Sequence, residues 1–102
     1  MGTSHCPEAA ALQYEQQARD KLKSDPQAAL RAARNAVALV PEGFDANLAL
    51  ADALVATGDV TGARAAYSAA MRRIRDMEPT SQTEWRPIVE KKLEQAGAKG
   101  PA

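Results

Sequence analysis

The sequence predicts an all-α fold of antiparallel helix pairs stacked one on the next, and three observations carry that expectation. The first is an internal repeat. Laying Asp25 to Pro41 over Asp59 to Arg75 pairs Asp25 with Asp59, Ala29 with Ala63, Ala32 with Ala66 and Ala36 with Ala70, all at an offset of 34 residues. The second is composition: alanine is abundant, aromatics make up only 4%, and the β-branched residues fall in no alternating run, so no strand is expected. The third is the Gly58-Asp59 pair, a left-handed closing residue followed at once by a capping residue, which turns the chain tightly between antiparallel helices. A unit this short cannot close its own core. It buries its apolar face on its neighbour and leaves a long surface free for partners.

The first helix is expected over about 8–23, where Ala11, Tyr14, Ala18 and Leu22 stack on one face at spacings of three, four and four. Asp25 caps the second helix and Pro26 occupies its first position, where a missing N–H costs nothing. Leu30, Ala33, Val37 and Val40, with Ala29, Ala36 and Leu39, give that helix a wide apolar face, ended by Pro41 and Gly43. The third helix, about 44–57, carries Phe44, Leu48, Leu50, Ala51, Leu54 and Val55 around more than one stripe, which predicts packing on two sides. In the fourth, Val60, Ala63, Tyr67, Ala70, Ile74 and Met77 form a single seam with Arg64, Arg72, Arg73 and Arg75 off it. Residues 77–82 read as a linker. Trp85, Ile88, Val89, Leu93 and Ala96 then mark a fifth helix whose regular start is expected near Glu84 or Trp85, because an earlier start at Ser81 would place Pro87 in the helix interior.

At 102 residues the chain makes one modest core. Thirteen basic residues balance thirteen acidic ones, so bulk charge favours neither nucleic acid nor an anionic membrane. No apolar run reaches the roughly 18 to 20 residues of a membrane span, and Met1 to Pro7 lacks the apolar stretch of a signal peptide. The chain reads as soluble, with a cytoplasmic setting favoured over a periplasmic one, and residues 1–7 as a flexible start or a remnant on an excised fragment. The lone Cys6 cannot form an internal disulfide, and adjacent His5 and Cys6 without a second ligand pair make no metal site. No cofactor, metal or catalytic residue is expected: the sequence offers no glycine-rich phosphate loop, no paired carboxylates in an apolar cleft, and one histidine and one cysteine at its start.

These residues resemble the tetratricopeptide repeat, a 34-residue helix-turn-helix unit. With the second repeat begun at Phe44, Leu50, Ala51, Leu54, Gly58, Asp59, Ala63, Tyr67 and Ala70 fall on the family's preferred places. Asn47 departs where the family favours a large residue, and Arg75 where it favours proline. That proline arrives instead as Pro79, which suggests a fourth helix about one turn longer than usual. In the first repeat Asp25, Ala29, Ala36 and Pro41 are in register while Ala33 replaces the aromatic; its first helix fits after one deletion at the turn. Val89, Leu93 and Gly97 match a lone first helix, and Glu90 at a small-residue place marks a solvating cap. The resemblance implies a short right-handed α-solenoid over 8–96: repeat one at about 10–43, repeat two at about 44–77, a C-terminal capping helix at about 83–96, then a flexible tail at 97–102.

It further implies a non-enzymatic protein–protein interaction scaffold or adaptor that binds a peptide or partner helix in a concave groove. The groove places are Asp45, Leu48, Asp52 and Val55 from the second repeat and Leu12, Glu15 and Arg19 from the first, with Glu84, Lys91 and Glu94 from the cap. Leu48 and Val55 would be apolar anchors flanked by carboxylates, suited to an apolar or basic segment; the competing reading makes them core beneath the cap helix. The family's grip on chaperone-tail carboxylates is not expected, because Glu15, Arg19, Ala49, Glu84 and Ile88 stand at its places and only Arg19 has the needed charge. Two alternatives remain: self-association into a homodimer or a structural role without a separate ligand, and a convex arginine stripe for RNA. The stripe reads better as a solvated face, since acidic residues are interspersed and no stacking aromatic lies among the arginines.

Overall fold

A computed structural model describes residues 7–98, which form five helices: α1 (Pro7–Lys21), α2 (Pro26–Leu39), α3 (Phe44–Thr57), α4 (Val60–Ile74) and α5 (Pro79–Ala98). Among the described residues there is no strand. The expected flexible start and tail lie outside them, with His5 and Cys6, except that Pro7, Gly97 and Ala98 are helical.

Each helix packs on the next in the chain, and α1 also touches α3, which sets the first helices of the two pairs side by side. The entries are fixed locally and identically. Asp25 accepts a hydrogen bond from the Ala28 amide at 3.2 Å, and Asp59, 34 residues on, accepts one from the Gly62 amide at 2.9 Å. Each carboxylate satisfies a first-turn N–H that has no partner within its helix. Between α3 and α4, Gly58 takes a left-handed φ of 91°. There the Asp59 amide reaches the Leu54 carbonyl at 2.8 Å and the Gly58 amide the Val55 carbonyl at 3.1 Å, closing the helix end.

Ala29, Ala33, Ala36, Ala51, Ala53, Ala63 and Ala70 have no exposed surface. With only a methyl at the contact, helix axes approach closely, and the bulk is supplied by Leu30, Leu54, Tyr67, Ile74 and Val89. Asn47 departs from the repeat pattern for a visible reason: its buried amide donates to the carbonyls of Pro41 at 3.0 Å and Gly43 at 2.8 Å, tying the α2–α3 turn to α3.

Two expectations about the C-terminal third are corrected. α4 ends at Ile74, one residue past the place equivalent to the end of α2, and not a full turn; tight bonds from the Asp76 amide to Arg73 and the Met77 amide to Ile74 make a turn there instead. α5 begins at Pro79 and runs unbroken through Pro87, where a linker over 77–82 and a regular start near Glu84 or Trp85 were expected. Pro79 sits at the first helical position, where it needs no donor. Pro87 removes one internal bond, and the helix is held across that gap by burial of Val89 and Ala96 and by the Trp85 ring, which meets Phe44 edge-on at 5.2 Å. Trp85 thus ties α5, which packs along α4, to the start of α3.

Candidate functional site

Two clefts open beside α1 and α3, and α5 contributes to the second of them. The larger, about 570 Å³, lies between the first half of α1 and the start of α3, with the turn at Val40–Gly43 as one wall. Leu12, Glu15 and Asp45, all expected at the groove, line it together with Phe44, Glu42 and Arg73. The second, about 290 Å³, is lined by Leu22 of α1, Asp52 and Val55 of α3, Tyr67 of α4, and Lys92 and Ala96 of α5. Leu48 is half-buried against the core between them.

Glu15 stands on the inward stripe of α1, between buried Ala11 and Ala18, and is itself only 6% exposed. Its natural partner one turn on, Arg19, points its guanidinium elsewhere and donates to the Gln16 side chain at 3.2 Å. Burial first, and then the nearby Asp45 charge, push the Glu15 carboxyl above its ordinary value, with Arg19 partly offsetting them. Leu12, one turn earlier, is 57% exposed at the rim. Arg73 was expected on the convex arginine face; it lines this cleft instead, half-buried and ion-paired with Asp76 at 3.1 Å.

Asp52 is not a free groove carboxylate. The Tyr67 hydroxyl donates to it at 2.6 Å and the Lys92 ammonium at 3.1 Å, so one acidic side chain on α3 joins α4 and α5. Tyr67 is 3% exposed, and its pKa is driven far above the ordinary range, first by burial and then by its hydrogen bond to Asp52 and the charge of that carboxylate. The cap therefore reaches the second cleft through Lys92. Lys91, expected there, is exposed and lines neither cleft, and Glu84 and Glu94 are exposed likewise. A step of one residue turns a side chain by about 100° around a helix, which is the whole of that error. Tyr67 is read from sequence as a gap filler, and its hydroxyl partner lies 15 residues back on another helix. Lys92 is 40 residues from Asp52 and leaves no local trace.

Among the described residues no group of histidine, cysteine, aspartate and glutamate could hold a metal ion, and no helix is long and apolar enough to cross a membrane. The fold and its open face define a helical repeat domain. A family model described as Tetratricopeptide repeat matches residues 22–80, more than half of the chain and all of α2, α3 and α4. The chain belongs to that family. Its repeats generally mediate protein–protein interaction and are typically non-enzymatic. No curated protein and no solved structure matches the chain.

Proposed function

We propose that this domain is a non-enzymatic scaffold that binds a peptide or partner helix of another protein along the face shared by α1 and α3, with repeats at about 10–43 and 44–77 and α5 as the solvating cap. The observation that carries the reading is the cleft of about 570 Å³ between α1 and α3, where an exposed leucine and an aromatic ring stand beside carboxylates. Apolar anchors with polar neighbours are what a helical groove offers an extended or helical ligand. The second cleft also lies beside α1 and α3 but is braced internally, because Asp52 is already engaged by Tyr67 and Lys92. Binding is therefore assigned to Leu12, Glu15 and Asp45, with Leu48 and Val55 as partly covered apolar surface.

The test is a titration of the isotope-labelled domain with peptides selected from a random library, followed through backbone amide shifts. Shifts clustered on 8–19 and 42–48 are expected. Shifts confined to the outer arginines Arg64 and Arg72 sink the assignment, and a dimer mass by light scattering with no peptide bound favours self-association instead.

A further inference from the structure

Glu15 is more than nine-tenths buried and among the described residues its carboxylate receives no hydrogen bond and no ion pair; since no described side-chain oxygen is both buried and without a partner, the little surface Glu15 keeps is at its carboxylate, in the larger cleft that it lines. A carboxylate whose stem is buried and whose oxygens open only into a cleft is partly stripped of water and unpaired, so a cation brought to it there is held more strongly than at an open surface. The rest of the lining does not neutralise it. Asp45 and Glu42 are exposed carboxylates on the opposite wall, Glu8 is a further carboxylate of the lining, and the one guanidinium among the described lining residues, that of Arg73, is paired with Asp76. Resting on the reading above, we propose that this cleft is a specificity pocket for a cationic side chain of the partner, an arginine or lysine that inserts toward Glu15 between α1 and α3 with an apolar neighbour set against Leu12 and Phe44.

The chemistry favours an organic cation over a metal ion, since no described set of these carboxylates converges as a metal site. Arginine fits best. Its planar fork can bond Glu15 and the wall carboxylate Asp45 together, and it gives up hydration more readily than an ammonium. Leu12 supplies the second element: at 57% exposure, one turn before Glu15, it offers an apolar landing place at the cleft rim. The partner segment is accordingly basic and apolar together. The Asp52 carboxylate plays no part in it, because Lys92 already occupies the internal equivalent of such a pocket about two turns past Asp45 on α3.

The experiment selects 12-residue peptides from a random phage-displayed library on the full chain and measures their affinity for the wild type, Glu15→Gln and Asp45→Asn. It then repeats each measurement with every arginine of the peptide replaced by citrulline, which keeps the shape and removes the charge. Enrichment of arginine or lysine beside leucine or another large apolar residue is expected. Affinity should fall at least tenfold on Glu15→Gln and by a similar factor with citrulline, the two losses not adding when combined. Glu15→Gln keeps the shape of the side chain and removes a charge that no described residue pairs, so it keeps the fold. Peptides that bind along α1 and α3 without basic enrichment, or that bind Glu15→Gln and the citrulline form as tightly as the originals, overturn the pocket while leaving the binding face in place. Peptides that shift no residue of α1 or α3 remove the face itself and the pocket with it.

Discussion

Burial of Glu15 favours its neutral form, so its folded-state pKa lies above the ordinary 4.5 and the folded chain holds a proton there more tightly than the unfolded chain does. The contribution to stability is fully present below that value and declines as pH rises through the folded-state pKa. Glu15→Gln should therefore raise the unfolding midpoint near neutral pH by the equivalent of about 0.5 to 1 kcal/mol, a gain that vanishes at about pH 3; equal midpoints at both pH values would contradict the unpaired state. Asp52 differs from Glu15 in being held by two donors, Tyr67 and Lys92. Tyr67→Phe should cost about 1.5 to 3 kcal/mol by removing a hydrogen bond to a charged acceptor. Asp52→Lys should cost about 2 to 3 kcal/mol, below the range of a fully buried pair because Lys92 and Asp52 keep some contact with solvent. As sequence position alone would have it, Asp52→Lys would be a surface change; chemical denaturation of the two variants decides. The raised Tyr67 pKa adds an alkaline limb: stability is lost as pH rises past the ordinary 10.0, where the unfolded phenol ionises and the buried one does not, and Tyr67→Phe should flatten that limb.

The entries of α2 and α4 and the exit of α3 were legible in the sequence because they are settled within a few residues, whereas the exit of α4 was read a turn too long. Asp25 and Asp59 reach amides three positions on, and Gly58 is required by its own φ, since a side chain there would meet no neighbour within 4 Å. Gly58→Ala should cost about 1 to 2 kcal/mol from backbone strain alone. The start of α5 was not legible, because two local rules conflict: proline suits the first position at Pro79 and is penalised in the interior at Pro87. Contacts far along the chain, Trp85 on Phe44 and Lys92 on Asp52, decide between them. If that is how α5 is held, Pro87→Ala should raise stability by about 1 to 3 kcal/mol, as restoring an internal bond does. A lowered midpoint would mean that the exposed proline is needed for the docked shape. The same distance limit explains the candidate site. Leu12, Glu15 and Asp45 were reachable by register, whereas the roles of Tyr67, Lys92 and Arg73 depend on which helices become neighbours.

Across the whole molecule the repeat sets where helices cross, and alanine sets how near they come. Ala63 and Ala70 on α4, like Ala29 and Ala36 on α2, have no exposed surface, so Ala63→Leu should destabilise by about 1 to 3 kcal/mol through overpacking, read from the denaturation midpoint. The alanine contacts also shape the response to temperature. Alanine has no side-chain rotamers to freeze on folding, so each such contact adds little order beyond that of the backbone. It equally withdraws little apolar area from water, and apolar area is what raises the heat capacity of the unfolded chain. Calorimetry should find a heat-capacity increment per residue below the usual figure of about 12 to 15 cal/mol/K. A domain built this way has a shallow stability curve, and its grip on a partner's shape changes little between a cold and a warm cell.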